Sequence, residues 1–194
     1  MTTRDATSLL TRPSDIALPG RWRDQAAVLL WGAIQWPWLL RSLSGGPRAD
    51  RLALLDMLGL PADALPNLGS WKADTHFLWR IARHIALARP QTVVELGAGA
   101  STLVTARALA RYGGGQLLSY DQHADFASGV ADWLRAHDLP ADIRTAPLAP
   151  APAGWPGLWY RLDGLPDRID LLIVDGPPWS IHPLVRGPPK RSSR

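Results

Sequence analysis

Val93-Val-Glu-Leu-Gly-Ala-Gly-Ala-Ser-Thr102 is the stretch that decides the fold. Two β-branched residues lead into a lone acid, Glu95, and then into a turn carrying Gly97 and Gly99. Ser101 and Thr102 follow, then an apolar-periodic run of Leu103, Val104, Ala106, Leu109 and Ala110. The order predicts a strand, a tight turn and a helix. Glycine permits positive φ and lets a ligand approach the backbone closely. The first turn of a helix offers N–H groups without intrahelical partners. Together they predict a cradle at the carboxyl end of a parallel strand, where open α/β sheets bind nucleotides. A glycine pair between strand and helix also occurs as a plain turn, so the motif needs support from elsewhere in the chain.

That support lies downstream. The helix over 101–112 stops at Gly113-Gly114-Gly115, and a strand over 116–120 ends at Asp121. A helix over 124–137 is expected to bury Phe126, Val130, Trp133 and Leu134. Pro140 introduces a third strand over 142–148. A Pro/Gly/Ala-rich loop over 149–157 follows, with Trp155, Trp159 and Tyr160 around it. A fourth strand over 169–174 is apolar throughout and ends at Asp175. Continuous apolar strands alternating with helical patterns predict an α/β fold with a parallel sheet covered on both faces. Right-handed crossovers make it one wound half, a Rossmann-like sheet of about four core strands.

Upstream the chain is less regular. Residues 1–23 read as a loose polar arm. Residues 25–43 are the most apolar segment, with Trp31, Trp36 and Trp38 between flanking arginines. Gln35 and Pro37 interrupt a run already short for a membrane span, which needs about 20 apolar residues. A helix packed on the domain is the first expectation, and contact with a membrane surface the second. A short helix carries Leu52, Leu54, Leu55 and Leu58 and stops at Gly59. Asp74 or Thr75 caps the next, which carries Phe77, Leu78, Ile81, Ile85 and Leu87. His76 and His84 on that helix read as ordinary histidines. The organisation expected is an N-terminal arm and helical appendage over 1–69, a Rossmann-like domain over 70–180, and a disordered basic tail over 181–194.

Composition narrows the function classes. The chain of 194 residues has no cysteine, which excludes disulfides and thiolate metal sites and fits a reducing compartment. The first twenty residues lack the layout of a secretory signal, so a cytoplasmic location is expected. The net charge of +4 comes from Arg186, Lys190, Arg191 and Arg194; without them, 17 basic residues face 17 acidic ones. The neutral body has no basic stripe, so nucleic acid is not expected as a partner.

Three acids at three strand ends are the specific signal. Glu95, Asp121 and Asp175 each close an expected parallel strand, which places their carboxylates over one crevice. An acid at the end of the second strand can accept both hydroxyls of a ribose. Gln122 and His123 follow it on the adenine side. A pyrophosphate-binding turn wants a third glycine where this chain has Thr102, and Glu95 would repel a pyrophosphate. That argues against a nicotinamide oxidoreductase. A cofactor with a positive centre and an amino-acid tail suits the acids and the turn, and S-adenosyl-L-methionine has that chemistry.

Residues 92–178 resemble the cofactor-binding half of a class I S-adenosylmethionine-dependent methyltransferase. The residues that carry the resemblance are Val-Val-Glu95-Leu-Gly97-Ala-Gly99-Ala-Ser101-Thr102, Leu-Leu-Ser-Tyr-Asp121 and Ile169-Asp-Leu-Leu-Ile-Val-Asp175-Gly-Pro-Pro. The forms are similar to a bacterial subgroup of mostly unassigned substrate. The resemblance implies that Glu95, Gly97 and Gly99 border the methionine part of the cofactor, with Ser101 nearby. It implies that Asp121 holds the ribose, with Gln122 near the base and Ala146-Pro147 beside the adenine. Asp175 then lies beside the methyl group and the acceptor. For an oxygen acceptor, Asp175 is the first candidate to take its proton and His182 the second. For Trp179 a plain hydrophobic contact is the first expectation, and packing on the cofactor or substrate the second. Some family members bind a divalent ion through the fourth-strand acid and later Asp or Asn residues. This chain has none after Asp175, so no metal is expected.

The family fold has seven strands, and only 19 proline-rich residues follow Asp175. The chain therefore reads as a shortened form of a longer methyltransferase, with its fourth strand an open apolar edge. Two functions follow. One is methyl transfer to a small-molecule acceptor, most naturally at oxygen. The other is a non-catalytic remnant that binds the cofactor, or pairs with a partner or a second copy through the open edge.

Overall fold

The computed structural model describes residues 45–65, 68, 73–150 and 158–177. The expected arm, the apolar segment 25–43, Trp155, Trp179, His182 and the basic tail lie outside the described residues.

Two helices precede the sheet. Helix α1 (Arg48–Leu58) starts after Pro47 and ends at Gly59 in the left-handed conformation. Arg107 fastens that end, donating to the carbonyls of Leu58 at 2.8 Å and Gly59 at 3.0 Å. Helix α2 (Thr75–Ala88) is capped by Asp74, whose carboxylate accepts the Phe77 N–H at 2.7 Å. Such a cap contributes about 1 kcal/mol. Strand β1 (Thr92–Leu96), helix α3 (Ala100–Tyr112), strand β2 (Gln116–Asp121), helix α4 (Ala124–Arg135) and strand β3 (Asp142–Thr145) then alternate. Strands β4 (Leu148–Pro150) and β5 (Leu158–Tyr160) pair with each other, and β6 (Leu171–Val174) returns to the main sheet.

The main sheet has the order β3-β2-β1-β6, and every pair in it is parallel. The fold is therefore α/β with a Rossmann-like parallel sheet of four strands. Side chains alternate across it. Val93, Leu117 and Ile173 point to one face, where they pack with Leu58, Leu78, Ile85, Leu103, Leu109 and Leu134 from all four helices. Each such leucine contributes about 1.5–3 kcal/mol by leaving water. Val94, Leu96, Leu118 and Tyr120 point the other way and meet Ala146, Leu148, Trp159, Tyr160 and Leu162.

Several local expectations need correction. The four described helices share one face, and the β4–β5 ribbon covers part of the other. The third strand stops at Thr145 rather than reaching Leu148. Pro147 has no N–H for the ladder, and Leu148 turns away to pair with Tyr160. The fourth strand begins at Leu171 rather than Ile169. Asp170 is used as a clamp instead, its Oδ2 accepting the N–H groups of Gln91 and Thr92 at 3.0 Å each. Phe126 is 40% exposed and Leu87 82% exposed, although both fit the helical period of their segments. Phe126 lies in the first turn of α4 and Leu87 in the last turn of α2, where the packed face ends. His76 and His84 are exposed. Among the described residues no helix is long and apolar enough to cross a membrane.

Candidate functional site

The register of the sheet sets the site. Leu96 of β1 lies level with Tyr120 of β2 and Val174 of β6. Asp121, Gly97 and Asp175 come one step later, side by side at the carboxyl edge. The Gly97 N–H donates to the Tyr120 carbonyl and the Asp175 N–H to the Leu96 carbonyl, both at 2.8 Å. Two of the three predicted acids thus flank the glycine turn.

Gly97 has φ 94°, and a Cβ there would stand 2.7 Å from the Gly176 nitrogen and 2.9 Å from the Asp175 carbonyl carbon. Only glycine lets the turn pass the end of β6. Gly99 differs, since a Cβ on it would meet nothing within 4 Å. The space above Gly99 is open, and the first turn of α3 begins there. This is a cradle of the kind a ligand fills.

Asp121 is buried, and its two oxygens are both engaged. Oδ1 accepts the His123 N–H at 2.8 Å and Oδ2 accepts the Ala98 N–H at 3.2 Å. Burial pushes its carboxyl above the usual range, and these two N–H bonds and His123 oppose the shift. Each oxygen keeps a second lone pair. Two backbone anchors fix the carboxylate plane, so the remaining lone pairs form a rigid pair of acceptors. Beside it, the Gln122 Oε1 is buried without a hydrogen-bond partner among the described residues. Ala146 is buried at the end of β3 and gives its N–H to the Asp121 carbonyl at 2.7 Å.

Glu95 is not at the rim with the other two acids. It lies two residues before Gly97, level with Ser119 and Ile173, on the helix-covered face, and it is fully buried. Its Oε2 accepts the hydroxyls of Thr102 at 2.6 Å and Ser119 at 2.7 Å. Thr102 in turn accepts the Gly99 N–H at 2.8 Å. Burial is the largest influence on the Glu95 carboxyl and pushes it up to about 7, with a smaller push from Asp175; Ser119, Thr102 and Ser101 pull it down. Ser101 is also buried, and its hydroxyl donates to Asp175 Oδ2 at 3.2 Å.

Ser119 and the bridging part played by Thr102 are absent from the sequence reading. The signal for Ser119 was present: a lone polar residue inside Leu117-Leu118-Ser119-Tyr120, a strand otherwise apolar. Gly97, Gly99, Ser101, Asp121, Gln122 and Asp175 converge at the carboxyl edge; Glu95 lies beneath it. Among the described residues, no three side chains of metal-ligating type converge.

No family model matches this sequence. No curated protein matches it either. Among solved structures, it is similar to the crystal structure of a "putative O-methyltransferase" from Klebsiella pneumoniae, at 23% identity and a TM-score of 0.35. The match covers 62% of this chain and 53% of that one, so the chain spans about half of that protein's length.

Proposed function

We propose that the crevice between Asp121 and Asp175 binds S-adenosyl-L-methionine and that the chain is a methyltransferase acting on an oxygen of a small molecule. The observation that carries this reading is the pair of carboxylates flanking a glycine turn whose Gly99 faces open space. A phosphate would meet two negative charges there. A cationic cofactor with a ribose and an amino-acid tail meets matching chemistry.

The residues present fit that group. The paired lone pairs of Asp121 suit a vicinal diol, and the unpartnered Gln122 Oε1 suits an amino group on the edge of a base. The open backbone at Gly99, with the start of α3, suits a carboxylate. Ala146 supports the base side by packing, since its N–H is already used. When bound, the cofactor supplies a methyl group on a positively charged sulfur. The chain's own part is to orient and to exclude water. Asp175, at the end of β6, is positioned to accept a proton from an incoming hydroxyl. A reducing compartment suits a chain without cysteine, and we place it in the cytoplasm.

Calorimetric titration of the full chain with S-adenosylhomocysteine tests the reading. Saturable binding is expected, weakened at least about tenfold in Asp121→Asn, which loses one of two good acceptors; that is about 1.4 kcal/mol. A folded chain that does not bind overturns the reading. A second reading, a binding or pairing module without catalysis, draws on Leu172 and Val174 of β6, which are 53% and 45% exposed. Cofactor binding without methyl transfer across an acceptor screen would favour it.

A further inference from the structure

The two outer strands of the main sheet are built differently. β3 carries Asp142 and Arg144, paired at 2.6 Å, with Pro140 before it and Pro147 after it. Charges and prolines keep an edge strand from pairing. β6 reads Leu171-Leu-Ile-Val174 and has neither. Among the described residues nothing pairs with its outer side. Leu172 and Val174, level with Val94 and Leu96, are exposed on the ribbon face.

The backbone of β6 is also complementary to itself. In a parallel ladder, alternate residues turn both N–H and C=O to the same neighbour. The Asp175 N–H goes to the Leu96 carbonyl at 2.8 Å, so Leu171 and Ile173 face β1. Leu172 and Val174 therefore turn their N–H and C=O groups outward. In an antiparallel pair, hydrogen-bonded residues stand opposite each other and exchange both bonds. A second β6, related by a twofold axis at Ile173, sets each Leu172 opposite the other copy's Val174. Every outward donor and acceptor of both strands is then used. Shifting the register sets Leu172 or Val174 opposite itself and brings in a poorer residue. That residue is Asp170, whose N–H already goes to the Thr92 carbonyl at 2.9 Å, or Gly176, beyond the end of the strand.

We infer that β6 pairs with β6 of a second copy of this chain, antiparallel and centred on Ile173, joining the two main sheets into one. Such an isologous contact closes on itself. The side chains suit the same register. Leu172 and Val174 of both copies meet on one face and cover each other. Asp175 stands opposite Leu171, and Asp170 opposite Gly176, so no like charges oppose the pairing. The contact is small beside the about 1,200 Å² of a standard interface, so the dimer forms at micromolar rather than nanomolar concentration. The two glycine turns lie at opposite ends of the joined sheet. The dimer gives pairing through β6 a partner and a register, and it stands whether or not the crevice binds a cofactor.

Sedimentation equilibrium, amide exchange and disulfide trapping of the full chain test it. The chain is expected to pass from monomer to dimer as concentration rises. Exchange of the Leu172 and Val174 amides slows in step, while that of Ile173, already bonded to β1, does not change. The chain has no cysteine, so introduced ones report cleanly. Hydrogen-bonded antiparallel residues have Cα atoms about 5.5 Å apart, within the range of a disulfide. A mixture of Leu172→Cys and Val174→Cys proteins is expected to cross-link faster than either alone. In each alone the two cysteines sit diagonally, beyond the about 7 Å that a disulfide bridges. Leu172→Pro removes an outward N–H and no bond to β1, and is expected to stay monomeric. If it fails to fold, Leu172→Lys decides. A chain that stays monomeric at every concentration overturns the inference, whether its edge is bare or covered by a segment of its own such as 25–43. So does cross-linking no faster in the mixture than in the single variants, or a dimer that the folded Leu172 variants leave intact. S-adenosylhomocysteine binding is measured separately, and failure of either result leaves the other standing.

Discussion

Thr102 ties Glu95 to the glycine turn: its hydroxyl donates to Glu95 Oε2 at 2.6 Å and accepts the Gly99 N–H at 2.8 Å. Its single hydrogen is committed to the carboxyl, so the lone pair facing Gly99 is fixed in direction. A residue that replaces the third glycine of a dinucleotide motif is here the strut of the turn.

Thr102→Val keeps the shape and loses both bonds. It is expected to destabilise the chain by about 2–4 kcal/mol, a net hydrogen bond of about 1 kcal/mol plus about 1–3 kcal/mol for the amide left without an acceptor. Thr102→Ser, which keeps the hydroxyl, is expected to lose less than about 1 kcal/mol, chiefly its buried methyl group. Urea denaturation of the three proteins measures the difference.

The buried Glu95 makes stability depend on pH. Its carboxyl titrates at 4.5 without the fold and at about 7 within it, so between those values the folded chain binds more protons. Stability from this group is therefore greatest at low pH and falls as pH rises from about 4.5 to about 7. The loss between about pH 4 and pH 8 is about 3 kcal/mol. Glu95→Gln removes this component, so its stability relative to the parent should rise across that window. Denaturant midpoints at both ends of it check the sign.

Gly97 and Gly99 should fail differently when given a methyl group. Gly97→Ala drives a Cβ into backbone at 2.7 Å and is expected to cost several kcal/mol, because neither β1 nor β6 can give way. Gly99→Ala meets no atom within 4 Å. Its cost is the backbone strain, about 1–3 kcal/mol. The folded Gly99→Ala protein should nonetheless lose S-adenosylhomocysteine binding, since its methyl occupies the cradle. Thermal melts beside calorimetry separate the two effects.

The outer strand offers a further test. Leu172 points to the face without helices and is 53% exposed. Leu172→Lys is expected to change folding stability by less than about 0.5 kcal/mol. If β6 pairs with a second copy, the same change lowers the sedimentation coefficient at high protein concentration; an equal coefficient in both proteins removes the pairing.

Much of this molecule was legible in its sequence. Strands β1 and β2, helices α2, α3 and α4 to within a few residues, and the acids Asp121 and Asp175 at two strand ends follow from period, caps and breakers, which are local. The same local rules misled where a segment met something distant. Asp170 reads as part of a strand but clamps β1. Leu148 reads as the end of β3 but pairs with Tyr160. Phe126 and Leu87 carry the helical period past the edge of the packed face.

Sequence by itself determined that a parallel α/β sheet would present acids around a glycine turn, because strand ends and turns are set by neighbours in the chain. Only the tertiary structure decided which acid is which. Glu95 alternates onto the helix-covered face and is sealed by Ser119 and Thr102, while Asp121 and Asp175 remain at the rim. That division depends on register between strands far apart in sequence and on the depth of burial, and burial is what raises the Glu95 carboxyl into the neutral range.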